Sequence, residues 1–311
     1  MTISAPPTRF APAPGGRRIA YCVYGDPTGV PTIFAHGTPG SRFQAHPLDA
    51  SATAAGVRLI CPDRPGFGET DPVDIDDFHA WDGDFTALLD ALELDRASLI
   101  GISGGAGYAL AVAQRVPDRV DRLIVACGMV PGAPASATRG RLPVVTLAYW
   151  LARRVPGLLG VLLTRRASAP TDPAKPPAGL PESDRLALND PATRASTARD
   201  AEAALCQGPG AAVADMRRYH RALPDPLGTI TAPTTIVHGD LDANVPVGVA
   251  RWLHARLPTA EVRILPEAGH LFALTDPTPL WRALLDDTRR QGPRAVGEFQ
   301  ANSGPSATAE R

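Results

Sequence analysis

The sequence predicts an α/β protein with a mainly parallel central sheet, and two observations lead to this prediction. Short apolar segments typical of buried strands alternate with amphipathic helical segments, which indicates right-handed βαβ units. Three of the apolar segments run into glycine-rich turns, which begin at His36, Asp63 and Gly101. Because ligands bind beyond the carboxyl ends of parallel strands, we expect these three turns to form one site.

The predicted elements of the sheet domain occur in two parts of the chain. Residues 8–25 are expected to form an antiparallel hairpin around the turn Pro14-Gly15-Gly16. Further strands are predicted at 31–35, 57–61, around Leu99, and at 123–127, 234–238 and 262–265. Helices are predicted at 75–92, 106–116, 247–257 and 279–290. Together these elements predict a core domain made of residues 8–130 and 229–290.

The intervening residues, 131–228, lack strand-like alternation and are expected to form a helical cap inserted into that core. Helical segments are predicted at 142–153, 157–164, 192–205 and 211–223, and a proline-rich linker at 168–180. The interior of the cap is expected to contain Trp150, Leu151, Leu158, Leu159 and Leu162. Residues 291–311 are polar and rich in Gly and Ser, which predicts a disordered tail.

Composition restricts the classes of partner and the compartment. The 311 residues include 31 basic and 32 acidic ones, so a net charge of −1 argues against nucleic acid or an anionic membrane as the main partner. The four cysteines form no Cys-x-x-Cys pair, and no apolar segment is long enough to span a membrane. No His, Cys, Asp or Glu cluster has metal-ligand spacing. We therefore expect a cytoplasmic protein with a small-molecule substrate, no cofactor and no metal.

The motif Gly101-Ile-Ser-Gly-Gly105 joins a predicted strand to a predicted helix. In that position Gly-x-Ser-x-Gly places a serine at the tip of a sharp turn, with its hydroxyl exposed above the sheet. Side chains at Gly101 and Gly105 would collide with neighbouring backbone, and the helix that follows directs its amide donors at the site. Ser103 is therefore the candidate nucleophile.

A serine nucleophile requires a base and a group that orients the base. His270 follows a predicted strand and is the candidate base. Asp242 also follows a strand and is the candidate orienting carboxylate, with Asp240 as an alternative. The chain order Ser, Asp, His is the order described for α/β-hydrolases.

Five motifs in this order resemble the α/β-hydrolase superfamily, and the capped esterases, lactonases and non-haem haloperoxidases in particular. They are His36-Gly-Thr-Pro-Gly-Ser41, Asp63-Arg-Pro-Gly-Phe-Gly68, the Ser103 motif, Gly239-x-x-Asp-x-x-Val-Pro246 and Gly269-His270. The resemblance implies Ser103 as nucleophile, His270 as general base and then acid, and Asp242 rather than Asp240 as the orienting acid. It also implies an oxyanion hole formed by the backbone N–H groups of Thr38 and Gly104.

The hypothesis from the sequence is hydrolysis of a small-to-medium carboxylic ester, thioester or lactone through an acyl-serine intermediate. A cyclase, an acyltransferase or a carbon–carbon bond hydrolase would use the same three residues, so the motifs leave these reactions open. A ligand-binding protein without catalytic activity on the same scaffold is the further alternative.

Overall fold

The computed structural model describes residues 6–74, 77–168 and 179–286. Its centre is an eight-stranded sheet in the order β1-β2-β4-β3-β5-β6-β7-β8. The strands are β1 (Arg9–Pro12), β2 (Arg18–Gly25), β3 (Val30–Ala35), β4 (Val57–Pro62), β5 (Ala97–Ile102), β6 (Val120–Ala126), β7 (Thr234–Gly239) and β8 (Glu261–Leu265). β2 pairs antiparallel with β1 and β4, and every other pair is parallel.

The helices are α1 (Asp49–Ala54), α2 (Asp82–Ala91), α3 (Ala106–Arg115), α4 (Pro143–Arg154), α5 (Pro156–Ser168), α6 (Glu182–Asn189), α7 (Pro191–Ala204), α8 (Gly210–Arg218), α9 (Gly248–His254), α10 (Phe272–Thr275) and α11 (Thr278–Leu285). Five of them, α4 to α8, lie between β6 and β7 in the chain. Of these, α6, α7 and α8 contact the loops beyond the carboxyl ends of the strands. None of the helices in the described ranges has the length and hydrophobicity that crossing a bilayer requires.

The hydrophobic core occupies both faces of the sheet. One face packs against α2, α3 and α9 through residues such as Phe85, Leu110 and Leu253. The other face packs against α1 and α11 through residues such as Ala52 and Leu280. A central parallel strand covered on both sides is expected to be buried along its length, and β5 is buried from Ala97 to Gly101, just before the turn.

All eight predicted strands are confirmed, but several helix predictions needed correction. Three helices, α1, α6 and α10, were not predicted. Each of the first two buries too few apolar side chains to show a helical period, and α10 is only four residues long. The helix predicted at 75–92 begins as a 3₁₀ turn at Phe78–Trp81 and becomes α-helical only at Asp82. The predicted linker at 168–180 lies mostly outside the described residues, and the predicted tail at 291–311 lies wholly outside them.

The prediction of which apolar side chains form the interior of the α4–α8 helices was partly wrong. Leu151 and Leu159 are buried and pack with Val213 and Met216 of α8. However, Trp150, Leu158 and Leu162 lie on the outer sides of α4 and α5 and are 53%, 47% and 44% exposed.

Candidate active site

Ser103 lies on the turn between β5 and α3 with φ of +49°, a left-handed conformation that costs free energy in a non-glycine residue. The two flanking glycines make this turn sterically possible. A Cβ on Gly105 would lie 2.0 Å from the carbonyl oxygen of Ala35, and one on Gly101 would lie 2.6 Å from the Cβ of Ala109. The strand and the helix therefore approach each other more closely than side chains would permit, and Ser103 is held at their junction.

The structure brings Ser103, His270 and Asp242 into one hydrogen-bonded chain, although 139 positions separate the serine from the aspartate in the sequence. The Nε2 atom of His270 lies 3.0 Å from the Oγ of Ser103. Its Nδ1 atom lies 2.8 Å from Oδ2 of Asp242, so Nδ1–H donates to that carboxylate. Asp240 is exposed and Asp242 is buried, so the contact with His270 is made by the residue that the motif spacing selected.

The electrostatics of this chain suit a base in a buried site. Burial alone would lower the pKa of His270, but the charge and hydrogen bond of Asp242 outweigh it and raise that pKa above 6.5. Burial alone would raise the pKa of Asp242, but interaction with His270 and a backbone donation from Val245 lower it. Asp242 is therefore a carboxylate at neutral pH.

The structure also brings together Cys127, His238 and Asp242, whose candidate ligand atoms lie within 4.8 Å of one another. Their chemistry does not suit a metal ion. Burial raises the pKa of Cys127 well above its usual value, so the metal-binding thiolate is disfavoured. Oδ1 of Asp242 already accepts the N–H groups of Asn244 and Val245, and Oδ2 faces His270.

Thr38 and Gly104 approach each other beside Ser103. A Cβ on Gly104 would lie 2.9 Å from the backbone nitrogen of Thr38. The fully buried guanidinium of Arg64 supports both residues, because it donates to the carbonyl of Gly104 at 2.9 Å and to the hydroxyl of Thr38 at 3.0 Å. Arg64 in turn pairs with Asp215 at 2.9 Å. The hydroxyl of Thr38 donates to the same carboxylate at 2.8 Å.

Three buried aspartates of the α4–α8 helices contact the loops that carry the site, and the sequence analysis did not single them out. They are Asp184 on α6, Asp200 on α7 and Asp215 on α8. No motif surrounds them, and an aspartate in a polar helix is usually exposed. Their positions became apparent only from the folded chain.

Asp184 holds the loop of His270. It accepts the backbone N–H groups of His270 at 3.0 Å and of Leu271 at 2.8 Å. A Cβ on Gly269 would lie 2.3 Å from an oxygen of this carboxylate, so the glycine before His270 makes room for it.

Asp200 holds the loop after β3 and borders the site. Its Oδ1 accepts both the backbone N–H and the hydroxyl of Ser41 at 2.7 Å, and its Oδ2 accepts from Gln44 at 3.2 Å. Gln44 then accepts the N–H of Gly37 at 2.6 Å. Burial raises the pKa of Asp200 to about 7 although these donors oppose the shift.

A cavity of about 210 Å³ opens at Ser103 and His270. Its apolar wall includes Pro39, Pro47, Ile102, Leu271, Ala273 and Leu274. Its polar wall consists of Gln44 together with Ser196, Thr197 and Asp200 of α7. The cavity therefore combines an apolar surface with hydrogen-bonding groups supplied by the α4–α8 helices.

The model of the alpha/beta hydrolase family matches residues 32–283, which is more than half of the chain. The chain belongs to the α/β hydrolase family. This membership confirms the superfamily and the fold class that the motifs predicted, and it supports a hydrolase activity.

Two curated relatives illustrate the similarity. The chain is 40% identical over 101 residues to the 2-hydroxymuconate semialdehyde hydrolase of Pseudomonas sp. strain CF600, covering 31% of the chain and 36% of that protein. It is 30% identical over 272 residues to the dihydrolipoyllysine-residue acetyltransferase component of the acetoin cleaving system of Pseudomonas putida, covering 83% of the chain and 63% of that protein. The alignments thus cover less than two thirds of both relatives.

Solved structures share the fold at low sequence identity. A bromoperoxidase from Bacillus anthracis superposes with a TM-score of 0.67 and 21% identity, covering 91% of this chain and 100% of that chain. A thermophilic esterase from Thermogutta terrifontis superposes with a TM-score of 0.63 and 23% identity, covering 91% and 98%. At these identities the similarity establishes the fold.

Proposed function

We propose that the protein is a serine hydrolase that cleaves a small-to-medium carboxylic ester, thioester or lactone through an acyl-serine intermediate. The observation that carries the proposal is the hydrogen-bonded chain from Ser103 through His270 to Asp242, with distances of 3.0 Å and 2.8 Å. Serine hydrolases use this arrangement on several unrelated folds.

In the first half-reaction the Oγ of Ser103 attacks the substrate carbonyl while Nε2 of His270 accepts the hydroxyl proton. The imidazolium that forms donates through Nδ1 to the carboxylate of Asp242, which stabilises its charge. When the tetrahedral intermediate collapses, His270 returns the proton to the leaving alcohol or thiol, and the acyl group remains on Ser103.

In the second half-reaction water attacks the acyl-serine and gives a proton to His270. Collapse of this second intermediate releases the carboxylic acid, and His270 returns the proton to Ser103. In both halves the backbone N–H groups of Thr38 and Gly104 stabilise the oxyanion, each contributing about two to three orders of magnitude to the rate. Arg64 donates to the carbonyl of Gly104 and to the hydroxyl of Thr38, so it holds both residues in place, which supports this role.

We further propose that residues 131–228 act as a cap that shapes the substrate cavity. The polar wall supplied by α7 and the three aspartate contacts to site loops support this assignment. A cavity of about 210 Å³ favours a short acyl group over a long unbranched chain.

Hydrolysis of p-nitrophenyl esters of increasing acyl length tests the proposal. We expect the wild type to prefer short acyl groups and Ser103→Ala to lose about six orders of magnitude in kcat. Ser51→Ala on α1 is the matched control, because its hydroxyl bonds only within its own helix region, to the carbonyl of Leu48. Its activity should equal that of the wild type.

Labelling of Ser103 by a fluorophosphonate separates a wrong mechanism from a wrong substrate. If Ser103 is labelled but no ester is hydrolysed, Ser103 remains the proposed nucleophile and the substrate is expected to be a different acyl compound. Absence of both labelling and turnover would contradict the proposal and favour a non-catalytic ligand-binding protein.

A second candidate reaction is hydrolysis of a carbon–carbon bond with the same three residues. The 40% identity over 101 residues to a protein named 2-hydroxymuconate semialdehyde hydrolase favours it. Incubation with that compound and analysis of the products would distinguish the two reactions, because ester hydrolysis predicts that it remains unchanged.

A further inference from the structure

The helices α4 and α5 present large apolar side chains to solvent, and we call this set the α4–α5 apolar surface. Each member is between 43% and 56% exposed. The members are Val144, Leu147, Trp150, Val155, Leu158, Val161 and Leu162. Contiguous exposed apolar surface of this kind usually marks an interaction site.

The sequence period explains why these side chains point outward. Val144, Leu147 and Trp150 recur every third residue and so follow one side of α4. Leu151 and Leu159 of the same two helices pack inward instead, where they contact Val213 and Met216 of α8. The two helices thus carry a second apolar side that the protein's own interior does not use.

The charged residues of α4 and α5 themselves have a single sign. Residues 122–171 contain no aspartate or glutamate. Their basic residues are Arg122, Arg139, Arg141, Arg153, Arg154, Arg165 and Arg166. Three of these, Arg153, Arg154 and Arg165, are exposed on α4 and α5. The net charge of −1 for the whole chain conceals this local excess of positive charge.

An open groove of about 660 Å³ adjoins the surface between α5 and α8. Val161 belongs to both the groove and the surface. Gly157 and Gly160 form part of the groove wall, and Arg165 and Arg217 also line it. The groove therefore combines apolar side chains with two arginines. This combination is complementary to an acyl chain that carries an anionic head group.

We propose that the α4–α5 apolar surface docks onto an anionic lipid bilayer. Exposed apolar side chains, a tryptophan and arginines on helices that contain no acidic residue are the features that bind a helix to the interface of an anionic membrane. A second copy of the chain fits less well, since a symmetric contact would place the same arginines opposite one another. Docking would place the α4–α8 helices beside the bilayer, and one of them, α7, lines the cavity at Ser103.

Tryptophan fluorescence of the full-length protein tests the proposal. Trp150 is 53% exposed, whereas Trp81 and Trp281 are buried and Trp252 is half-buried. We expect vesicles of equal parts phosphatidylcholine and phosphatidylglycerol to shift the emission to shorter wavelength, and Trp150→Phe to remove most of that shift. Flotation with the same vesicles measures binding independently of the fluorophore.

Substitutions on the surface should weaken binding without changing the fold. Leu158→Ser removes an exposed apolar contact, and Leu186→Ser is the matched control because Leu186 is 59% exposed on α6 outside the surface. Arg153→Gln should weaken binding to anionic vesicles about fivefold. Added salt should weaken it as well. Circular dichroism checks that each variant remains folded.

Several results would overturn the proposal. Wild-type protein that does not float with anionic vesicles contradicts it, as does equal binding to phosphatidylcholine alone. Equal loss of binding in Leu186→Ser and Leu158→Ser also contradicts it. A dimer in sedimentation equilibrium that Leu158→Ser converts to monomer would assign the surface to a second copy instead. These readouts do not depend on ester hydrolysis, so they remain informative if the proposed function fails.

Discussion

The sheet domain and the α4–α8 helices both supply buried carboxylates to the site, but in different ways. On the sheet side Asp242 follows β7 and faces the imidazole of His270. On the helix side Asp184 and Asp200 accept backbone N–H groups of site loops, and Asp215 pairs with Arg64. In the proposed mechanism the first carboxylate stabilises the charge that His270 acquires, while the other three hold loops in place.

This difference predicts different consequences of the same Asp→Asn substitution. A carboxylate next to the base should affect the rate and its pH dependence. A carboxylate that holds a loop should affect stability first and the rate second. Three substitutions test this comparison.

The largest effect is expected for Asp242→Asn. Loss of the carboxylate leaves the imidazolium uncompensated, and kcat should fall by about four orders of magnitude. The base must be neutral, so wild-type kcat/KM should fall as pH drops through the raised pKa of His270, with a midpoint above 6.5. In Asp242→Asn the carboxylate no longer opposes the effect of burial, which lowers the pKa of His270. The midpoint should therefore move to lower pH.

A pH profile of kcat/KM for the wild type and Asp242→Asn measures both quantities. Asp240→Asn is the matched control, because Asp240 is exposed two residues away. The fall of kcat/KM at low pH is the acid limb of this profile. If Asp240→Asn moved the acid limb and Asp242→Asn did not, the roles of the two aspartates would be reversed.

The second effect concerns Asp215→Asn on α8. Its carboxylate pairs with the fully buried guanidinium of Arg64 and with Arg218. Removing one partner of a buried ion pair leaves an uncompensated charge, so the free energy of unfolding should fall by about 3 kcal/mol. Urea denaturation measures this change.

The control for Asp215→Asn is Asp225→Asn, which breaks an exposed ion pair with Arg115. The side chain of Arg115 is 52% exposed and that of Asp225 is 44% exposed. An exposed pair contributes about 0 to 1 kcal/mol. Equal destabilisation by the two substitutions would show that α8 does not hold the Arg64 loop as described.

The smallest effect is expected for Asp184→Asn on α6. The amide can accept only one of the two N–H groups of His270 and Leu271, so we expect a loss of about 1–2 kcal/mol in stability. A looser His270 loop should lower kcat about tenfold with little change in KM. Asp184 also helps to raise the pKa of His270, so the acid limb should move slightly to lower pH.

Glu182→Gln on the same helix is the control, because its side chain is 64% exposed. A purely structural role for Asp184 would reduce stability and leave the acid limb unchanged. The pH profile therefore distinguishes positioning of His270 from simple packing of α6.

Local sequence was sufficient where a residue's role depends on its immediate neighbours. The glycines at 101 and 105 predicted the turn at Ser103, because that turn requires positions without side chains. Apolar periodicity predicted all eight strands, because burial of a strand is visible in consecutive residues. The choice of Asp242 over Asp240 as the neighbour of His270 came instead from the resemblance to the α/β-hydrolase superfamily, and Asp242 is the residue that contacts His270.

Only the tertiary structure decided which polar residues of the α4–α8 helices turn inward and which apolar ones remain outside. The three inward aspartates, Asp184, Asp200 and Asp215, are buried because each contacts a loop from a distant part of the chain. The largest separation in sequence is 177 positions. Trp150 and Leu158 are exposed because α8 covers only one side of α4 and α5. Burial of this kind depends on contacts between distant segments, and the local pattern of a helix does not encode them.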